Sequence, residues 1–200
     1  MLKDTVLKPE CKPFNKTHGL NLFELASKDP GLNRSFNEVL SSNSKVLFDK
    51  IVSVHPHIHA LNFDLPHVIA DAPKYPDVEH VAGDMFELLP NAQNILLKNV
   101  LHDWDDVHCM KLLRNCWKAL PNNGKVIVVE FAIPQQQGNH TDSLDAIALD
   151  FFMLVYLPGG KERTTAEFDD LAKAAGFAET KFFPIAQGIY VMEFIKRSMD

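Results

Sequence analysis

Apolar and polar positions along the chain follow two rhythms. Short apolar runs of strand length predict strands at His59–Leu65 (HALNFDL), Val78–Asp84 (VEHVAGD), Asn94–Val100 (NILLKNV) and Lys125–Phe131 (KVIVVEF), with Lys50–Val54 (KIVSV) as a further short one. Helical spacing fills the intervals. In Asp105–Leu120 the apolar positions Val107, Met110, Leu113, Trp117 and Leu120 recur on one face, acids occupy the first turn and Pro121 follows the end. Pro66–Ala72 predicts a short helix and Asp142–Val155 a longer one, after which Pro158-Gly159-Gly160 breaks the chain. Thr164 and Glu167 have capping-box spacing for a helix that runs to Ala175 and stops at Gly176. The runs Glu179–Ile185 and Ile189–Ile195 flank an Ala-Gln-Gly turn and predict a hairpin.

Strands that alternate with helices and close in a hairpin imply an α/β fold, with a mainly parallel sheet and an antiparallel C-terminal hairpin. The first 50 residues carry turn signals at Pro9, Pro13, Gly19, Pro30 and Gly31, and Asn33–Lys50 suits one or two helices. Neither internal repeats nor low-complexity segments occur. A length of 200 residues suits one domain with a sizeable core.

Composition narrows the function classes. The net charge of −6 and the absence of a Lys/Arg run argue against nucleic-acid binding. No apolar stretch approaches the ~20 residues of a membrane span, and the N-terminus lacks a signal-peptide core, so the expected location is cytoplasmic. Cys109 and Cys116 are seven residues apart on one predicted helix, a rise of ~10 Å, and with Cys11 make an odd count, so free thiols are expected. His55, His57 and His59 alternate, but no cysteine is near and the spacing fits no zinc pattern; no metal is expected.

Chemistry-bearing residues gather where strands end, as ligand-binding residues do in parallel sheets. Asp64 suits ribose hydroxyls, or else an N-cap for the helix at Pro66. Asp84 and Met85 suit an adenine, or a plain turn after a strand. Lys98 sits in an apolar run and requires a partner or a path to solvent. His102, in the stretch NILLKNVLHDWDD, is the candidate general base, with structural capping as the alternative. Glu130 and Glu162 are candidates to hold and polarise its ring, or else ordinary ion-pair acids.

The segments FDLPHVIADAPKYPDVEHVAGDMF, LLKNVLHDWDDVHC, ALPNNGKVIVVE and PGGKERTTAEFDDLAKAAGF, in this order, closely resemble the plant phenolic O-methyltransferases of the caffeic acid type. The resemblance covers nearly all of residues 3–197. It implies a Rossmann-like class I methyltransferase sheet and S-adenosyl-L-methionine as methyl donor. By the same resemblance Asp64, Asp84, Met85 and Lys98 hold the donor. His102 is the base, flanked by Glu130 and Glu162, while Asp103, Met153 and Leu157 face a small phenolic substrate of phenylpropanoid or flavonoid type.

Set against that family, residues 1–50 correspond to a remnant of the N-terminal helical linker and residues 51–200 to an incomplete catalytic domain. The family is homodimeric, and its dimerisation domain is missing. Also missing between Ile51 and His59 are the first strand and its glycine-rich cofactor loop. In the family that strand is central, so its loss predicts unpaired neighbours in mid-sheet. KIVSV is no substitute, because a parallel crossover takes a dozen or more residues and only about four are available. Leu157 replaces an Asn of the nearest family pattern, which predicts altered phenol preference. Two functional expectations follow: a His-dependent O-methyltransferase, or an inactive truncated homologue that associates with full-length relatives.

Overall fold

The computed structural model describes residues 12–35, 37–38, 51, 54–55, 57–133, 140–186 and 188–198; side chains are described throughout these except at 140–145 and 186. Expectations at Pro9, Cys11, the turn residue Gln187 and the helical stretch beyond residue 38 up to Lys50 lie outside them. The elements are α1 (Pro13–His18), α2 (Leu22–Lys28), β1 (Ala60–Asp64), α3 (Pro66–Ala70), β2 (Val78–Ala82), β3 (Asn94–Lys98), a 3-10 turn (Leu101–Asp103), α4 (Asp106–Ala119), β4 (Lys125–Ile133), α5 (His140–Tyr156), β5 (Arg163–Thr164), α6 (Thr165–Ala175), β6 (Glu179–Ala186) and β7 (Ile189–Ile195).

Local chemistry sets most boundaries. Asp105 caps α4 by accepting from the His108 N–H at 2.9 Å, and Lys196 closes its other end by donating to the Trp117 and Leu120 carbonyls. Thr164 and Glu167 form the predicted capping box on α6, and Gly176 ends it at φ +107°, where a side chain would be strained. Three turn signals become helix starts instead. Pro13 opens α1, and residues 30–35 are helical because the Asp29 carboxylate accepts from the Gly31 and Leu32 N–H groups while Pro30 fills the first position.

The expected strand Lys50–Val54 is corrected. Ile51 and Val54 are helical, and the His55 N–H donates to the Ile51 carbonyl at 2.9 Å. The short link to β1 leaves no room for a parallel crossover. β5 is an addition: two residues are too few to leave a periodic signature.

Two compact units divide the chain, Leu22–Leu88 and Met1–Asn21 with Leu89–Asp200. In the first, β1 and β2 pair in parallel with Asp64 opposite Ala82, and no residue of either strand is fully buried. In the second, the strand order is β3-β4-β7-β6, with β5 paired to the end of β4. β3 and β4 are parallel, whereas β7 is antiparallel to both β4 and β6. Among the described residues β1 pairs only with β2, and β3 only with β4.

The core of the larger unit grows from β4, whose alternate residues Val126, Val128, Glu130 and Ala132 are buried. Leu112, Leu113, Phe168, Met192 and Phe194 are also fully buried, each contributing ~1.5–3 kcal/mol by removal from water. Glu130 thus occupies a core-facing position of an apolar strand, where a carboxylate requires hydrogen-bond donors. Cys109 and Cys116 are free and buried. Among the described residues no helix is long and apolar enough to cross a membrane.

Candidate functional site

β3 ends by changing direction. Asn99 adopts φ +52°, a left-handed conformation that Asn tolerates better than most residues, and donates its N–H to Val129 in β4. The next two N–H groups, of Val100 and Leu101, both donate to Glu130 Oε1, at 2.9 and 2.6 Å. Glu130 therefore holds the backbone that leads into the 3-10 turn, rather than touching the imidazole. Hydrogen bonds from Asp103 N–H to the Val100 carbonyl and from Trp104 N–H to the Leu101 carbonyl close the turn, and His102 is buried within it.

A second segment crosses this turn. α5 gives way at Leu157, whose N–H donates to the Met153 carbonyl, and both side chains are buried. Gly159 and Gly160 then bring the chain against the turn. A Cβ at Gly160 would lie 2.9 Å from the His102 carbonyl oxygen and 3.1 Å from that of Asp103, so only glycine permits the approach. Lys161 N–H donates to the His102 carbonyl at 2.9 Å, and Glu162 N–H donates to the Asp150 carboxylate at 2.9 Å. His102 Nδ1 lies 2.8 Å from Glu162 Oε1, while Nε2 faces Asp103 Oδ1 at 3.4 Å. A carboxylate accepts only, so Nδ1 donates and the neutral ring carries its lone pair on Nε2.

Charge is concentrated here. Burial opposes protonation of His102, but the hydrogen bond to Glu162 and the charges of Asp103, Glu130 and Glu162 outweigh it and lift its pKa to about 9. Burial raises Asp103 to about 7, helped by Glu130 and Glu162 and opposed by His102. Burial also raises the Glu130 carboxyl, against the pull of His102 and of the two backbone N–H groups. Glu130 Oε2 and Glu162 Oε2 are buried without a hydrogen-bond partner among the described residues. The arrangement is a buried histidine with Nδ1 held by Glu162 and Nε2 facing the Asp103 carboxylate.

The remaining expected residues fall in two places. In the smaller unit, Asp64 is the last residue of β1 and Asp84 follows the carboxyl end of β2, and the Gly83 N–H donates to the Asp64 carbonyl at 2.9 Å. Asp64 does not cap α3, whose N-cap is Leu65; its carboxylate accepts the Leu65 N–H at 2.7 Å. Asp84 accepts the Phe86 N–H at 2.8 Å, and Met85 is half-buried beside it. Lys98 ends β3 in the larger unit and is half-buried. Sequence reasoning passed over Arg163, Asp150 and Gly160. For Arg163 the one signal was its place directly after Glu162.

A family model described as the O-methyltransferase domain matches residues 46–178. Over 222 residues the chain is 54% identical to (S)-scoulerine 9-O-methyltransferase of Coptis japonica, covering 98% of this chain and 58% of that protein. It is 43% identical to caffeic acid 3-O-methyltransferase of Medicago sativa, covering 98% of this chain and 61% of that protein. The chain thus spans about three-fifths of the length of these relatives. The 222-residue aligned stretch also exceeds the 200 residues of the whole chain, so the first relative carries at least 22 positions there that this chain lacks. Among solved structures, LaPhzM superimposes with a TM-score of 0.85 at 29% identity, over 97% of this chain and 67% of that one. Human N-acetylserotonin methyltransferase in complex with SAM gives 0.83 at 23% identity, over 98% and 66%, a likeness of fold.

Proposed function

This chain belongs to the O-methyltransferase family, and from that premise we infer that it methylates a phenolic hydroxyl of a small aromatic substrate, with His102 as general base. The observation that carries this reading is the fixed Nδ1 of His102 on Glu162, which leaves Nε2 for a substrate proton. A base of pKa about 9 is close to a phenol at ~10, so proton transfer between them is nearly balanced.

S-adenosyl-L-methionine, when bound, supplies an electrophilic methyl group. The residues present suit its nucleoside half. Asp64 and Asp84 are carboxylates at and just past the carboxyl ends of adjacent parallel strands, where acceptors for ribose hydroxyls are found, and Met85 offers a soft apolar surface to an adenine. At the acceptor end, His102 removes the phenolic proton, Glu162 holds the imidazole, and Glu130 holds the turn that presents it. Asp103 contacts the substrate hydroxyl, and Met153 and Leu157 set the shape of the ring pocket. Residues 51–200 form the catalytic domain on this reading, with residues 1–50 as a helical linker.

Relatives named for scoulerine, caffeic acid and flavones support a phenolic acceptor without selecting one. Incubation with S-adenosyl-L-methionine and each of these phenols, read by mass spectrometry, tests the activity; a 14-dalton gain that H102Q abolishes is expected. Calorimetry with S-adenosyl-homocysteine tests the donor site independently. Absence of heat at about 1 mM ligand removes the enzyme reading.

The edges of β1 and β3 that no strand pairs among the described residues, with the positions lacking relative to the scoulerine enzyme, favour a second reading, an inactive homologue that associates with full-length relatives. Co-expression with an intact family member and affinity capture decides it. Recovery of the chain alone rejects association.

A further inference from the structure

Three successive residues, Lys161, Glu162 and Arg163, hold the turn that carries His102. Lys161 binds the His102 carbonyl through its N–H, and Glu162 binds the ring. Arg163 takes the backbone on either side: Nη1 donates to the Leu101 carbonyl at 2.8 Å and Nη2 to the Trp104 carbonyl at 2.8 Å. The same guanidinium donates to Asp106 Oδ1, from Nη2 at 2.7 Å and Nε at 3.1 Å. Its side chain is fully buried, whereas that of Asp106 is 60% exposed.

A buried cation with several satisfied donors is expensive to place, and apolar packing would serve stability as well or better. What it adds here is direction. The planar fork fixes three acceptors at once, and two of them are the carbonyls before and after His102; an ammonium on a flexible stem cannot span them in the same way. Arg163 pairs with Ala132 of β4, which fixes its backbone directly after Glu162.

We propose that Arg163 is a positioning residue, which locks the Leu101–Trp104 backbone so that His102 Nδ1 stays on Glu162 and Nε2 stays toward the substrate. This assignment deepens the methyl-transfer reading and rests on it for its functional meaning, but the geometry it predicts is measurable without turnover. The groups facing His102 are Asp103, Glu130 and Glu162, and those nearest the guanidinium include Asp106.

The test is an NMR titration of the His102 ring nitrogens in the full chain, comparing R163K, D106A and E162Q with the parent. If Arg163 positions the ring, folded R163K loses the Nδ1–H signature of the Glu162 bond and its His102 pKa falls by about one unit or more, in the direction E162Q sets. D106A removes the acceptor that holds the guanidinium from its exposed side and shifts the signal in the same direction by a smaller amount. A folded R163K with a lower melting point and an unchanged His102 signal overturns the proposal. Should R163K not fold, D106A decides, and an unchanged signal there rejects it. Lack of turnover in a parent chain with an intact His102 signal counts against the methyl-transfer reading alone.

Discussion

Nδ1 of His102 and Oε1 of Glu162 lie 2.8 Å apart although 60 residues separate them, and both side chains are buried. Replacing Glu162 by Gln keeps the shape and removes the negative charge. The expected result is a His102 pKa that falls from about 9 toward its ordinary value, and methyl transfer reduced by about 10²-fold or more. NMR titration reads the first and single-turnover assays the second. An unchanged pKa would discount the pairing.

The same pairing sets a pH profile. With a pKa of about 9, His102 is mostly protonated at neutrality and the base form grows tenfold per pH unit. The rate constant kcat/KM should therefore rise with slope near one from about pH 7 and level off near 9. A flat profile over that range would exclude His102 as the base.

Stability should move the other way. His102 and Asp103 both have folded pKa values above their ordinary ones, so the folded chain binds more protons and stability falls as pH rises. The His102 contribution, at most about 3 kcal/mol, is complete below about 6.5 and lost as pH passes through about 9; the Asp103 loss spans 3.8 to about 7. Urea midpoints at about pH 5, 7 and 9 should decline in order. H102Q should flatten the upper part and D103N the lower.

Glu130 separates charge from hydrogen bonding. E130Q retains an oxygen for the Val100 and Leu101 N–H groups and relieves a buried carboxyl, so its melting point should change little. E130A strands both donors and should cost about 1–3 kcal/mol for each that water cannot reach. Equal losses in the two variants, measured by thermal unfolding, would argue that the hydrogen bonds are not what Glu130 contributes.

Gly160 tests the close approach. G160A places a methyl group within 2.9 Å of the His102 carbonyl, and backbone on both sides must separate. We expect a loss of about 1–3 kcal/mol, with weakening of the Lys161 and Glu162 bonds to His102. An unchanged His102 resonance in folded G160A would contradict this.

The sequence by itself determined the alternation of strands and helices, the ends of α4 and α6, the hairpin, and the placing of Asp64, Asp84 and His102 at or past strand ends, whereas Glu130 lies inside β4. These follow from local periodicity and from caps such as Thr164 with Glu167, which need no distant partner. The ordered motifs also carried the family. It did not determine the helical state of Ile51 and Val54, nor the two-residue strand β5, which exists only because Ala132 and Ile133 lie beside it. Nor did it separate the roles of two glutamates that read alike: tertiary contacts put Glu162 on the imidazole and Glu130 on the backbone beneath it. Arg163 shows the reason most plainly. Its partners are backbone carbonyls 59 and 62 residues away, and a carbonyl has no identity in a sequence; only the fold decides which ones a buried guanidinium meets.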